Sequence, residues 1–338
     1  MSVTGAQIDD AMIAQHEIDY ADYEGERWGI GEGVWEIANR YPPETYQNDK
    51  GRYGSAFHTF MALVTLAKLD APQNEPLTVI VPAPPSYVSE VKSAIQLALV
   101  GEHTIRMKGD KKDRLYHIHK VIVTAEGVPA FCAYRYDING HVVDLPSPKG
   151  YDYLSGMVEV IDIGFGTLDS FTITNGKMNA DLIAHATDPD GGILMHIINP
   201  VLDEVRNLTG ATHITASHVD GWLRKWIQAK YNPDAATVRV GNKTLKLHGK
   251  LDSLTSRYAD WVIQTKLKPL PREITTVMES GGGWVLLDER VKTVFKRLTF
   301  LSPQQFHHLQ YVPVWELNAY GSLVMLAAKR RYRQKSNS

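Results

Sequence analysis

The chain has 338 residues, enough for two ordinary domains, because single hydrophobic cores stop growing beyond about 250 to 300 residues. Its 36 basic and 38 acidic residues nearly cancel, so no direct nucleic-acid binding is expected. The single cysteine, Cys132, excludes an internal disulfide framework. The acidic start lacks the pattern of a signal peptide, and no apolar run reaches the roughly 20 residues of a spanning helix. Composition therefore predicts a soluble, cytoplasmic protein without membrane contact.

The first elements in chain order are a predicted hairpin and a predicted core helix. Residues 17–35 alternate around Glu24 and Gly25, which is typical of a hairpin. Residues 53–69 have apolar side chains at helical spacing, which predicts a helix with one buried face. The apolar side chains on that face are Phe57, Phe60, Met61 and Val64.

A strand, a helix and a second strand are predicted next. The run LTVIV, which begins at Leu77, is continuously apolar and predicts a strand buried on both faces, ended by the prolines that follow. A helical period comes after it, with Ser86 or Ser89 as the N-cap and Gly101 at the end. Residues 115–127 predict the second strand.

The second half of the chain repeats this mixture of hairpins, strands and helices. A hairpin is predicted at residues 158–173, and helices are predicted near 193–210 and 251–267. A strand at 273–280 runs into three glycines, and a closing helix covers 316–331. The whole pattern predicts two α/β halves.

The most informative stretch is DIGFGTLD, residues 162–169, at the turn of the second hairpin. Gly164 and Gly166 allow backbone N–H groups to approach an anion closely, and Thr167 adds a hydroxyl donor. Asp162 would repel a phosphate unless a cation lay between them, so it is suited to hold water on Mg²⁺. The alternative is a hairpin whose glycines serve only the turn.

This octet resembles the second phosphate-binding loop of the actin, heat-shock chaperone and sugar kinase superfamily. Other segments resemble the motifs of that superfamily in the expected order. They are the connecting segment VTAEGVPAFCAY, the adenosine motif VMESGGGWVLL, and the C-terminal connecting motif WELNAYGSL, in which Leu317 replaces an alanine. The segments ERWGIGEGVWEIANR and TVIVPAPPSYVSEVKSAI resemble the prokaryotic actin-like proteins of the plasmid-segregation type, related to ParM and to archaeal actin-like proteins.

The resemblance implies an α/β, actin-like ATPase fold with two ribonuclease H-like domains around a nucleotide cleft. It implies domain I at 1–156, domain II at 157–305, and a C-terminal segment at 306–338 that returns to domain I. The cofactors would be ATP or GTP with Mg²⁺, held in part by Asp162. Glu126 would orient the attacking water. The expected nucleotide-binding residues are Asp162, Gly164, Phe165, Gly166, Thr167, Asp169, Gly191, Gly281, Gly282 and Gly283.

The function implied by the resemblance is nucleotide-dependent polymerisation into filaments that segregate plasmid or other DNA through an adaptor protein. The partners would be further copies of the chain and that adaptor. Two alternatives stay open, because fold does not fix function. One is a sugar kinase-like or acetate kinase-like phosphotransferase, and the other is a degenerate interaction protein that does not hydrolyse nucleotide.

Nothing in residues 1–25 resembles the first phosphate loop of the superfamily. We therefore expect a first domain that is incomplete or completed by another segment. ATPase activity is expected only if that loop is supplied.

Several candidates also have ordinary structural explanations. Glu126 could be a solvated turn residue, and Gly191 could belong to an ordinary loop rather than expose a helix N-terminus. His117 and His119 share one strand face, as metal ligands or as surface residues do. Trp222 and Trp226 lie one helical turn apart, which is more typical of a core than of an adenine platform.

Overall fold

A computed structural model describes the backbone of residues 6–7, 19–30, 50–143, 156–178 and 186–336. The chain divides into two units by its contacts. Unit 1 holds Met1–Val81, Val88–Val123 and Thr212–His218, and unit 2 holds Pro82–Tyr87, Thr124–Ala211 and Val219–Ser338. These limits differ from the predicted domain limits, because the connecting segment and the C-terminal segment pack together within unit 2.

Within the described residues, the first sheet has six strands in the order β1-β3-β2-β5-β6-β4. Its strands are β1 (Ala6–Gln7), β2 (Asp19–Tyr23), β3 (Glu26–Ile30), β4 (Pro76–Ala83), β5 (Gly101–Met107) and β6 (Arg114–Ala125). The hairpin predicted around Glu24 and Gly25 is confirmed, since β2 and β3 pair antiparallel and both turn residues have positive φ.

The helix packed on this sheet is α1 (Ala56–Lys68), and its apolar face is the predicted one. Phe60 and Val64 are fully buried, and Phe57 and Met61 pack at the edge of the same core. Trp28 of β3 stacks on Phe60 with ring centroids 5.3 Å apart. Because one face of α1 is buried in this core, the helical spacing of its apolar residues predicted the helix correctly.

The prediction that the LTVIV strand is buried on both faces is wrong. β4 is the outer strand of the sheet among the described residues, and β6 lies on its one paired side. Val79, Ile80 and Val81 are consequently only half-buried. Both predicted N-caps are also wrong, because the next helix begins at Val88, so that Ser89 lies inside it. The Ser86 N–H donates to the Thr187 hydroxyl at 3.2 Å, and the Ser86 hydroxyl accepts from the Thr187 N–H at 3.0 Å.

The second sheet lies in unit 2, with the strand order β10-β8-β7-β13-β14 and β9 paired to β8. Its strands are β7 (Met157–Ile163), β8 (Leu168–Thr174), β9 (Lys177–Met178), β10 (Thr187–Asp188), β13 (Thr276–Ser280) and β14 (Thr299–Leu301). β7 is antiparallel to β8 and parallel to β13, so the carboxyl ends of β7 and β13 meet at one edge. A separate hairpin is formed by β11 (Thr237–Val240) and β12 (Lys243–Lys246).

The other α-helices of the described residues follow in chain order. They are α2 (Val88–Leu99), α3 (Val128–Arg135), α4 (Asn199–Thr209), α5 (Ala216–Gln228), α6 (His248–Val262), α7 (Trp284–Val294) and α8 (Leu317–Ser336). α3 and α8 pack closely, because a Cβ on Gly321 would lie 1.7 Å from the Pro129 carbonyl oxygen. No described helix is long and apolar enough to cross a membrane.

β5 and α7 lie where no strand or helix was predicted, and Gly101 begins β5 rather than ending a helix. The part of ERWGIGEGVWEIANR from residue 31 to residue 40 lies outside the described residues. The predicted fold class is confirmed as a mixed α/β architecture.

Candidate functional site

The DIGFGTLD octet forms the turn between β7 and β8, as the sequence predicted. Asp162 pairs with Asp169 in the strand register, and the Gly164 N–H donates to the Thr167 carbonyl across the turn at 2.9 Å. The loop therefore begins and ends on two buried aspartates. Backbone groups at such a turn are suited to bind an anion.

A second glycine turn, Gly191-Gly192, packs directly on this loop. A Cβ on Gly192 would lie 2.5 Å from the Phe165 carbonyl oxygen, so only glycine permits this approach. The N–H of Leu194 donates to the Phe165 carbonyl at 2.8 Å. The start of the helical segment Leu194–Ile198 is thus hydrogen-bonded to the DIGFGTLD loop, whose shape it fixes.

Tyr258 holds the same glycine turn from α6. Its hydroxyl donates to the Gly191 carbonyl at 2.6 Å, and its ring stacks on His196 with centroids 4.5 Å apart. Burial raises the pKa of Tyr258 well above its usual value, which keeps the phenol protonated as a donor. The sequence carried no signal for this role, because Tyr258 lies far from the loop along the chain.

Asp162 is the centre of a hydrogen-bond network. Its Oδ2 accepts from the Ser280 hydroxyl at 2.5 Å and from the Asn318 amide at 2.6 Å. Asn318 in turn accepts from the Gly127 N–H at 2.8 Å. Burial raises the pKa of Asp162, and these two donors oppose that rise. The network joins the DIGFGTLD loop, the segments VTAEGVPAFCAY and WELNAYGSL, and the residue before the triple glycine.

Asp169 is the second buried carboxylate of the loop. The Thr187 hydroxyl donates to it at 2.6 Å, and the Thr167 hydroxyl lies 3.5 Å from its other oxygen. Burial and then the negative charge of Glu126 hold the pKa of Asp169 well above its usual range. Glu126 itself is half-buried at the turn before α3, where its N–H donates to Ala83. The structure thus brings the two residues close to one another.

The triple glycine follows β13 and lies against the end of β7. A Cβ on Gly281 would lie 2.5 Å from Asp162 Oδ1, and one on Gly283 would lie 2.1 Å from Ile163 Cγ2. Gly282 differs, because the nearest atom to its Cβ would be in Trp315, at 3.6 Å. Gly281 and Gly283 are therefore required by packing, whereas Gly282 borders open space.

A cavity of about 620 Å³ lies next to this turn. Its wall includes Tyr231, Val285 and Trp315, and the Tyr231 hydroxyl donates to the Val285 carbonyl at 2.7 Å. Its volume is within the usual range for small-molecule sites. The cavity is thus large enough for a base and a ribose.

Glu279 lines the same cavity and is almost fully buried. Burial, together with the charge of Asp288, raises its pKa to about 8. Lys292 Nζ lies 2.8 Å from Glu279 Oε1, yet that oxygen has no aligned hydrogen bond in the described residues. The contact is therefore an ion pair with poor hydrogen-bond geometry.

The remaining candidates take the ordinary structural roles. Trp226 is fully buried and donates from Nε1 to His248 at 3.2 Å, as the core interpretation requires. His117 and His119 are exposed on β6. Among the described residues, no group of three His, Cys, Asp or Glu side chains could hold a metal ion.

Comparison with known proteins identifies the fold. No protein-family model matches the sequence, and no curated protein matches it. Similar solved structures are Alp7A, an actin-like protein, at TM-score 0.62 and 15% identity, covering 99% of this chain and 92% of that one. Another is a ParM filament from Clostridium botulinum, at TM-score 0.65 and 14% identity, covering 97% and 91%. A third is Ta0583, an archaeal actin homologue in complex with ADP, at TM-score 0.59 and 18% identity, covering 92% and 89%.

Proposed function

The chain has the actin-like fold, and we propose that it binds a nucleoside triphosphate with Mg²⁺ and polymerises into filaments. The filaments would segregate plasmid or other DNA through an adaptor protein, within the cytoplasm. The observation that supports this most is the convergence of three turns in unit 2: the phosphate loop, Gly191-Gly192 and Gly281–Gly283. Two similar structures are a filament and an ADP complex.

The three glycine-containing turns and the adjoining cavity are suited to bind the phosphates, ribose and base of a nucleotide. We infer that the phosphates lie at Gly164–Thr167, where the backbone can donate to an anion, and that the ribose and base lie beside Gly282 in the adjoining cavity. Bound Mg²⁺ would neutralise the phosphates and lower the barrier to hydrolysis. Because the described residues offer no cluster of three metal ligands, Asp162 would act on Mg²⁺ through water.

In this proposal the carboxylates near the loop have separate roles. Glu126, half-buried at the turn before α3, is suited to orient a water and accept its proton. Asp169 cannot readily share that work, because its buried carboxyl has a raised pKa and already accepts from Thr187. Asn318 is a positioning residue, since it fixes both Asp162 and the N–H of Gly127.

Gly282→Val tests the nucleotide site. The new side chain would enter the open space beside the turn, so we expect loss of measurable ATP and GTP binding by calorimetry, with the unfolding midpoint little changed. The matched control is Gly249→Ala, whose added Cβ meets no atom within 4 Å. Unchanged affinity in Gly282→Val would refute this location.

Two further substitutions separate the roles of the carboxylates. Asp162→Ala is expected to weaken Mg-nucleotide binding, because it removes the acceptor of the Ser280 and Asn318 hydrogen bonds as well as the acid. Glu126→Ala is expected to spare binding and to slow phosphate release by about 10²-fold or more. Calorimetry and a phosphate-release assay distinguish them, and equal loss of binding in both would show that the roles are assigned wrongly.

A specific observation favours a second candidate function, nucleotide binding without turnover. Oδ2 of Asp162 already accepts hydrogen bonds from Ser280 and Asn318. Burial also raises the pKa of both Asp162 and Asp169. A chain of this type would bind nucleotide and assemble, with no phosphate released. Light scattering combined with the phosphate-release assay separates the two functions.

A further inference from the structure

The last two turns of α8 differ from the rest of that helix. Its first part is packed, with Leu317, Val324 and Met325 buried. From Lys329 onwards no described side chain is buried, and Lys329 and Arg330 are exposed. The end of the helix therefore contributes little to the core of unit 2.

This end carries a dense positive charge. Five of the seven residues at 329–335 are Lys or Arg, and no acidic residue occurs in Leu317–Ser336. The whole chain has 36 basic and 38 acidic residues, so the rest of the chain is clearly acidic. Near-neutral total charge, which led to the expectation of no nucleic-acid binding, conceals this local cluster.

Apart from the electrostatic effect of Lys329 on the Cys132 thiol, whose pKa it lowers against the rise due to burial, the described cations of the cluster have no internal partner. Lys329, Arg330 and Arg331 make no ion pair or hydrogen bond with any described residue. Two cations in a last turn are enough to complement the partial negative charge of a helix C-terminus, and that effect is worth only about 0.3 to 1 kcal/mol. Five cations exceed this need, so the cluster is available to an external polyanion.

We propose that the end of α8 binds the phosphate backbone of duplex DNA directly. Residues 329–335 extend for roughly 9 Å at 1.5 Å per residue, a length that matches about two or three phosphates of one strand. Successive positions differ by about 100°, so the cationic positions surround the helix rather than form one stripe. Two or three of the cationic positions can therefore face one strand whichever side of the helix is turned to the duplex.

The sequence of this end distinguishes DNA from a membrane surface. Interfacial helices need an apolar face opposite the cations, with residues such as Trp, Phe or Leu. Residues 329–335 contain Tyr332 as their one aromatic or aliphatic residue, and Val324 and Met325 are buried in the fold. The exposed apolar side chains on α8 are Leu323 and Tyr332, which lie nine positions apart and do not form the continuous apolar face that an interfacial helix needs.

The test uses the full chain without nucleotide, so that it does not depend on polymerisation. Fluorescence anisotropy with a labelled 30-base-pair duplex is measured from about 50 to 200 mM salt. We expect a linear dependence of log affinity on log salt with a slope of about −2 to −3, as for two or three phosphate contacts. The triple variant K329A/R330A/R331A should lose at least about tenfold in affinity at 50 mM salt and most of the slope.

The matched control is K92A/K111A/K112A, which removes the same charge from three exposed positions of unit 1. It should bind DNA like the unchanged chain. Equal loss in both triple variants would overturn the proposal, as would unchanged DNA binding in the α8 variant. Tighter binding to phosphatidylserine vesicles or to polyglutamate than to DNA would also overturn it, in favour of a membrane or an acidic protein. Failure would leave the proposed filament function untouched, because assembly is measured separately.

Discussion

Two apolar strand sequences in this chain have different environments. β4 contains Val79, Ile80 and Val81, which are half-buried, whereas Val160 and Ile161 of β7 are fully buried. β7 is paired on both sides, with β8 and β13, and β4 is an outer strand among the described residues. The difference shows that composition predicts a strand, while its neighbours decide its burial. The candidate site forms where β7 turns into β8, and burial there raises the pKa of Asp162 on β7 and of Asp169 on β8.

The largest effect is expected where unit 2 is packed most tightly. Gly321→Ala would place a Cβ 1.7 Å from the Pro129 carbonyl, so α3 and α8 could not keep their present distance. We expect a loss of several kcal/mol in the free energy of unfolding, or no folded protein, by urea denaturation.

Gly249→Ala is the control for this substitution, since it is also a helical glycine but faces open space. It should be neutral or stabilising by up to about 1 kcal/mol. Similar stability of the two variants would show that the packing of α3 against α8 is looser than described.

The pH dependence of unit 2 is expected to report Glu279. Its pKa in the folded state, about 8, is raised above its ordinary value of 4.5, so its contribution to stability is complete below pH 4.5. That contribution is lost as pH rises through about 8, by up to about 1.4 kcal/mol per pH unit. Glu279→Gln should remove this loss. Between pH 5 and pH 8.5 the unfolding free energy of the unchanged chain should therefore fall relative to that of the Glu279→Gln variant. A constant difference over that range would contradict the raised pKa.

The smallest effect directly tests the contrast between the strands. Val160→Thr places a hydroxyl in the buried sheet and should cost about 1 to 3 kcal/mol, whereas Val79→Thr on β4 should cost less than about 1 kcal/mol. Thermal or urea unfolding measures both, because Val and Thr have nearly the same shape. Equal costs would mean that β4 is as well covered as β7.

Elements with a strong local period were predictable from the sequence. The β2–β3 hairpin, α1, the β7–β8 turn and α8 all appear where the sequence placed them. The DIGFGTLD turn was predictable because its glycines, hydroxyl and aspartates are contiguous in the sequence. β5 was missed because GEHTIRM reads as a polar segment, and α7 was missed because WVLLDERV follows three glycines that suggested a loop.

The residues that support the loop could not be predicted in the same way. Ser280 and Asn318 reach Asp162 over 118 and 156 positions of the chain, and Ser86 reaches Thr187 over 101. Contacts of that range depend on sheet order rather than on local pattern. Asn318 lies in WELNAYGSL, a segment that resembles a motif of the superfamily. That resemblance did not indicate that Asn318 would donate a hydrogen bond to Asp162.

The two donors on Asp162 restrict where that side chain can be protonated. Both the Ser280 hydroxyl and the Asn318 amide point their hydrogens at Oδ2. A proton taken up by Asp162 sits on Oδ1, the oxygen near Gly281, or on Oδ2 with the Ser280 hydroxyl turned to accept it, because only the Asn318 amide is bound to donate. The Asn318 amide also has a fixed orientation, because its oxygen accepts from Gly127. The ionisation of one buried acid is thereby detectable, as a change in the Asn318 side-chain amide resonances, at the first turn of the last helix.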